Sequence, residues 1–302
     1  MVQLRPGDTV CHLRFGFGVV QWSDPAAARA EIKFPKHGTK LLSLDGYYNF
    51  YIRKVNGQSI HIHSKYQHSL LYLVHIRNLR SIFRYGILSR MRVMQLVANF
   101  EDISYGSVQR LRSRISIKHG DDSRPLHSYV NLFFAAKPPM LAVFHNRARQ
   151  DDLVYLEISP TVLDLPGTLI ADGNAAIQGL SQAGRETVTV VVATSAAASC
   201  QRWYDPPSFL PHRRVCSNFY VSSVGLDCVD FGAVATDDRW LDEETKRRKQ
   251  AEVLVPDEVP VYPFVGVAVR SRVTRQRVEA LLAEAGIECL DVVERPEWYF
   301  DW

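Results

Sequence analysis

Glu252 stands between a strongly charged run, Asp242-Glu243-Glu244-Thr245-Lys246-Arg247-Arg248-Lys249, and an apolar stretch, Val253-Leu254-Val255. A carboxylate at the mouth of a buried strand is fixed in position and partly shielded from water, as a catalytic group needs to be. There it can stabilise positive charge that develops on a reacting carbon. Gln250 lies two residues earlier, and on a strand positions i and i+2 share a face. The spacing predicts a carboxylate and an amide aimed into one cleft. A strand-edge glutamate facing water fits the same local pattern.

The remaining chemistry-bearing groups are sparser. His61-Ile62-His63 has half the makings of a metal site, but no third ligand stands at a clear spacing, so no metal is expected. His119-Gly120-Asp121-Asp122 reads as a turn, and neither a glycine-rich phosphate loop nor a Gly-x-Ser-x-Gly elbow is present. The cysteines, Cys11, Cys200, Cys216, Cys228 and Cys289, are scattered without a Cys-x-x-Cys pair and read as reduced thiols. A net charge of +4 over 302 residues is too mild to identify a partner. Locally the picture differs. Between Tyr72 and Lys118 come Arg77, Arg80, Arg84, Arg90, Arg92, Arg110, Arg112, Arg114 and Lys118 against only Glu101 and Asp102. Such an excess, interleaved with Phe83, Tyr85, Phe100 and Tyr105, suits a nucleic-acid strand, although a solvated face has the same composition. The opening residues carry no basic-then-apolar export pattern and no apolar run is long enough to span a membrane, so a reduced cytoplasmic setting is expected.

Positioning these groups requires two kinds of structure. From Leu4 to about Val55, brief apolar runs are punctuated by Gly7-Asp8, Gly16, Gly18, Pro35, Gly38 and Asp45-Gly46, the pattern of short strands that bury a core by curling into a small barrel. Asn56-Gly57-Gln58-Ser59 begins a join. Beyond it, strands are predicted at Leu70–Ile76, Val130–Phe134, Leu153–Ile158, Thr187–Ala193, Val253–Val255 and Val265–Val269. Helices are predicted at Asn78–Tyr85, stopped by Gly86, and at Ser107–Ile115, Asp242–Gln250 and Thr274–Ala285. The outcome is an α+β domain preceded by a small all-β module.

Two resemblances sharpen this. Gly7-Asp8-Thr9-Val10-Cys11-His12, Phe15-Gly16-Phe17-Gly18-Val19-Val20, Ile32-Lys33-Phe34 and Gly38-Thr39-Lys40-Leu41-Leu42 resemble the SH3/Tudor-like barrel that closes certain bacterial helicases and the similar one that opens CarD-type regulators. The resemblance implies an interaction module over residues 1–56, docking on DNA, a helicase or RNA polymerase, with 57–69 as the joining segment.

The second is carried by an ordered series. It runs Leu71-Tyr72-Leu73-Val74-His75-Ile76-Arg77-Asn78-Leu79, Ser81-Ile82-Phe83-Arg84-Tyr85-Gly86, Ile103-Ser104-Tyr105-Gly106-Ser107-Val108-Gln109-Arg110-Leu111-Arg112, Leu126-His127-Ser128-Tyr129-Val130-Asn131-Leu132-Phe133-Phe134, Pro139-Met140-Leu141, Asp172-Gly173-Asn174, Gln250-Ala251-Glu252 and Pro296-Glu297-Trp298-Tyr299-Phe300. Together these resemble the DarT family of DNA ADP-ribosyltransferases over residues 70–302. The resemblance implies an ADP-ribosyltransferase-type mixed domain that takes ADP-ribose from NAD, without a metal, and places it on a base of single-stranded DNA. It also implies a toxin or defence role opposed by an antitoxin that removes the mark. Glu252 would be the catalytic glutamate and Arg112 would assist activation of the acceptor base. His75, Asn78, Phe133 and Met140 would line the nicotinamide and ribose end of the NAD cleft, with Tyr129 and Asn174 on the same wall. Gln250, Arg248, Arg110 and Arg114 would face the DNA.

The chain also departs from the family pattern. Many relatives carry His-x-Thr where Tyr72-Leu73-Val74 stands, tyrosine is common at Phe133, and proline at Asn131. Tyr72 or His75 then takes over the anchoring of NAD, or NAD binds in another pose. Thymine and guanine both stay open as the acceptor. An NAD glycohydrolase, an RNA-directed transferase, and a transcription- or helicase-associated binding protein with weakened catalysis are the competing readings.

Overall fold

The computed structural model describes residues 4–12, 16–35, 37–43, 52–55, 66–97, 99–146, 148–178, 187–195, 203–204, 214–236, 242–261 and 263–301. The histidine pair at 61 and 63 lies outside them. Runs with few polar interruptions, such as Leu153–Ile158 and Phe264–Val269, become strands covered on both faces. They belong to an eight-stranded sheet in the order Phe219–Val221, Leu169–Ala171, Glu252–Pro256, Tyr129–Phe133, Leu70–His75, Leu153–Ile158, Phe264–Val269, Asp291–Glu294. Neighbours run antiparallel except the last pair, which is parallel and therefore needs a crossover. The helix Arg272–Ala285 supplies it, begun by the Ser271 side chain and ended by Gly286 at φ 67°.

Each face of the sheet has its own core. One buries Val74, Leu156, Val253 and Val267 under Leu79, Val278 and Leu282 of two helices. The other buries Leu73, Tyr155 and Ala268 with Leu141 and Tyr299. The Tyr299 hydroxyl donates to the carbonyls of Leu153 and Ala268, so a residue near the chain end ties two central strands together. The helix Leu79–Tyr85 ends at Gly86, whose φ of 80° suits glycine and where a Cβ would come within 2.5 Å of the Val259 carbonyl.

One helix boundary needed correction. The helix begun near Ser107 stops at Arg112, and Ile115–His119 is a strand. It pairs in parallel with Val188–Val191, inside the expected 187–193 strand, and in antiparallel with Asp122–Pro125, forming a three-stranded sheet that a bridge from Ala193 to Tyr220 links to the main one. The cause is that β-branched Ile115 and Ile117 take their conformation from the strand beside them. The strands Leu169–Ala171 and Phe219–Val221 were not anticipated either. They are too short to show a period.

The N-terminal residues form a five-stranded antiparallel sheet ordered Gly38–Ser43, Arg29–Phe34, Gly16–Asp24, Thr9–His12, Ile52–Val55. Along Arg29–Phe34 burial alternates residue by residue, and Ala30, Ile32 and Phe34 pack with Leu4, Val10 and Val20. The Phe34 ring covers Gly18, where a Cβ would lie 2.6 Å away. Among the described residues the two end strands do not pair with each other, so the unit is a sheet rather than a closed barrel. Among the described residues no helix is long and apolar enough to cross a membrane, and Cys216 is buried while Cys228 and Cys289 are partly buried.

Candidate active site

Glu252 is the first residue of its strand, flanked in register by Phe133 on one side and Ala171 on the other, and only 3% exposed. A buried carboxylate costs several kcal/mol, order of magnitude, unless its charge is compensated. Arg112, at the end of the helix Gly106–Arg112 and itself buried, provides that compensation. Its Nη1 donates to Oε2 at 3.0 Å and to Oε1 at 3.2 Å. The backbone N–H of Ala175 adds a donor to Oε1 at 3.3 Å. Residues far apart in sequence thus hold one carboxylate in a fixed direction.

Gln250 reaches the same place by another route. It is not on the strand: it caps the helix Glu243–Lys249, which Asp242 begins by accepting from the N–H groups of Glu244 and Thr245. The strand-face argument for Gln250 is therefore replaced by a helix-end one. Its Oε1 accepts from Asn174 Nδ2 at 2.7 Å and its Nε2 donates to the Lys246 carbonyl at 2.8 Å.

Glu252, Arg112, Gln250, Asn174, Tyr72, Asn78, Tyr129, Phe133 and Met140 all line one cleft. Val74, Phe133, Met140 and Tyr72 give the cleft an apolar and aromatic lining, and Glu252 gives it a carboxylate. Burial, reinforced by the Asp102 carboxylate, pushes the Tyr72 phenol up to about 12. The phenol is a neutral hydrogen-bonding group at any physiological pH. Burial also raises the Tyr129 phenol. Asn78 has its amide engaged on both sides, donating to the Glu101 carbonyl and accepting from the Glu101 N–H, each at 2.9 Å. It fastens the rim segment Glu101-Asp102 to the cleft.

His75, expected in the NAD cleft, does not line it, and Arg248, Arg110 and Arg114, expected to face DNA, also lie outside it. His75 is buried beneath the surface, its Nδ1 accepting from the Arg77 N–H and its Nε2 without a hydrogen-bond partner among the described residues. Burial lowers its pKa. Arg248 pairs with Glu244 and Asp230 on the helix flank, Arg110 is exposed, and Arg114 is half-buried behind the helix end. The basic run is largely paired as well: Arg77 with Glu101, Arg80 with Glu284, Arg90 with Asp102, and Arg92 with Glu258. Such pairs at or near the surface are individually weak, about 0–1 kcal/mol, and a phosphate can replace the carboxylate.

His127 and Gln109 are cleft residues that sequence reasoning missed. His127 Nε2 lies 2.9 Å from Gln109 Oε1. Burial, then the positive charges of Arg112 and Arg90, push the imidazole down to about 4, so it is neutral at neutral pH. The one available signal was the three-residue spacing of Gln109 and Arg112, which puts both on one helix face. Among the described residues no cluster of three or more His, Cys, Asp or Glu side chains is placed to hold a metal.

Comparison with known proteins follows the same lines. A relative from Thermosipho africanus (strain H17ap60334), described as a DNA ADP-ribosyl transferase–DNA ADP-ribosyl glycohydrolase fusion protein, is 32% identical over 109 residues, 35% of this chain and 27% of its own length. The chain thus matches about a quarter of that curated relative. The structure of Thermus sp. 2.9 DarT in complex with ADP-ribosylated ssDNA superposes with a TM-score of 0.58 at 21% identity, covering 78% of this chain and 97% of the other. The same Thermus protein in complex with NAD+ gives a TM-score of 0.55 at 19% identity over 78% and 98%. At these identities the likeness is one of fold. The sequence profile of the family described as ssDNA thymidine ADP-ribosyltransferase, DarT, matches residues 71–214 and 212–300, well over half of the chain, and the chain therefore belongs to the DarT family.

Proposed function

We propose that this chain transfers ADP-ribose from NAD to a base, thymine or guanine, in single-stranded DNA. The observation that carries the reading is the buried Arg112–Glu252 pair at the floor of a cleft with aromatic walls. Glu252 would accept a hydrogen bond from the nicotinamide ribose and stabilise the positive charge that develops as the bond to nicotinamide breaks. The leaving nicotinamide takes the electron pair, and the base closes the new bond to the same ribose carbon and gives up one proton. Arg112 would stabilise the negative charge that the base acquires. Tyr72, Phe133 and Met140 would pack the nicotinamide end, with Asn174 on the same wall, and Gln250 would orient the acceptor. The NAD-bound and DNA-bound states of the Thermus relative support both ligands. The fused glycohydrolase of the Thermosipho relative supports an opposing partner that removes the mark.

Incubation of single-stranded oligonucleotides with NAD, followed by mass spectrometry, tests this. The expected product is a base adduct that Glu252→Ala abolishes. Free ADP-ribose without an adduct would favour NAD hydrolysis, and an adduct confined to RNA would favour an RNA-directed transferase. Failure to bind NAD would favour a binding protein. We also propose that residues 1–56 act as a Tudor-like docking module for DNA, a helicase or RNA polymerase, joined through 57–69 to a catalytic domain over 70–302. The alternating burial of the N-terminal sheet supports a separate small core.

A further inference from the structure

Arg247 is 5% exposed and lies outside the cleft, in the last turn of the helix that leads to Glu252. Its guanidinium works in three directions. Nη1 donates to Asp172 Oδ1 at 2.8 Å and to Ser217 Oγ at 3.1 Å, while Nε and Nη2 donate to the Glu244 carboxylate at 2.9 and 2.8 Å. Its backbone oxygen accepts from the N–H of Asn174 at 3.0 Å and of Gln250 at 3.2 Å. The partners extend the arrangement: Ser217 Oγ donates to the Asn174 carbonyl, and Asp172 accepts from the backbone and the side chain of Asn218. Gly173 lies against the arginine so closely that a Cβ would meet Nη1 at 2.4 Å and the Arg247 carbonyl at 2.8 Å.

Apart from the bonds to Glu244 and from the Gln250 N–H, these contacts bear on the segment Asp172–Ala175, which delivers the Ala175 N–H to Glu252 and the Asn174 amide to Gln250. We infer that Arg247 is a positioning residue for the transfer reaction, clamping the Asp172–Ala175 segment so that Glu252 and Gln250 keep their orientation towards substrate. Lysine cannot replace it, because an ammonium lacks the planar fork that serves partners on different elements at once. Glycine at 173 follows from the same packing. The inference rests on the proposed transfer reaction.

The test uses the full chain with NAD and a single-stranded oligonucleotide, comparing Arg247→Lys and Gly173→Ala with the unsubstituted protein. Displacing a catalytic group by about 1 Å costs on the order of 100-fold in rate. The expected result is a 10- to 100-fold lower kcat, on the order set by that displacement, with KM for NAD changed less than about threefold. Amide hydrogen exchange should quicken across 172–177 while Tyr129–Phe133 stays protected. A purely structural role would instead raise exchange across the whole sheet. Wild-type kcat in either variant, or a loss that tracks global unfolding in both, would overturn the inference. Should Arg247→Lys fail to fold, Gly173→Ala decides alone, since it moves the segment without removing a charge. An unsubstituted protein that forms no adduct refutes the transfer reading, whereas unchanged exchange across 172–177 in both variants refutes the clamp.

Discussion

Replacing Arg112 with methionine keeps the apolar stem and removes the charge that faces Glu252. Both side chains are nearly inaccessible, 8% and 4% exposed, so water cannot take over the role of the guanidinium. Removing one member of a buried pair costs about 3–5 kcal/mol. With each kcal/mol shifting the melting temperature of a 150–250-residue domain by about 2–4 °C, Arg112→Met should lower the Tm of the domain that holds it by about 6–20 °C. The second half of the cycle distinguishes a lost pair from lost packing. Glu252→Gln in the Arg112→Met background removes the stranded charge and should restore about 2 kcal/mol or more, although the Ala175 N–H still has an oxygen to bind. Denaturant unfolding of the two single variants, the double variant and the parent gives the coupling energy directly. All three variants should be inactive in the oligonucleotide assay. An Arg112→Met protein that melts within about 2 °C of the parent, or a double variant no more stable than the single, would refute the buried-pair account.

Other consequences follow from the same geometry. The His127 imidazole is pushed down to about 4 in the folded state against an ordinary value near 6.5, so the unfolded chain binds the proton first. Its contribution is fully present above about pH 6.5 and is lost as the pH falls towards 4. Subtracting the stability–pH profile of His127→Gln from that of the parent should isolate a slope confined to that window. Gly86→Ala should destabilise the fold by about 1–3 kcal/mol in denaturant titration, because φ is 80° and a Cβ would strike the Val259 carbonyl. Tyr299→Phe leaves the carbonyls of Leu153 and Ala268 without their shared donor. It should lower stability by about 1–2 kcal/mol while kcat on oligonucleotides stays at the parent value. Trp22 is 46% exposed on the N-terminal sheet. Trp22→Ser should leave both Tm and oligonucleotide modification unchanged, and loss of binding to a docking partner in that variant would assign the face.

Much of this molecule is written in local pattern. The central strands could be read from uninterrupted apolar runs, the helix Arg272–Ala285 from its period, and the stop at Gly86 from a residue type that tolerates positive φ. Glu252 stood out because charge turns to apolar sequence at that point. The Arg112 side of the site came from the order of short blocks along the chain rather than from any one of them. Local pattern failed where neighbours decide. Ile115 and Ile117 became a strand because Val188–Val191 lies beside them, and Gln250 left the strand because the preceding helix ends on it. The basic run gave no sign of its own neutralisation, since Glu258 and Glu284 approach Arg92 and Arg80 from far along the chain.

The residue types that can do the chemistry, and the strand that carries Glu252, were determined by sequence alone. Their assembly was not. Arg112 meets Glu252 across 140 positions and Ala175 meets it across 77. A buried carboxylate becomes a fixed, charged group only when such distant donors converge on it, and convergence of that kind is a property of packing, which no local stretch of sequence contains.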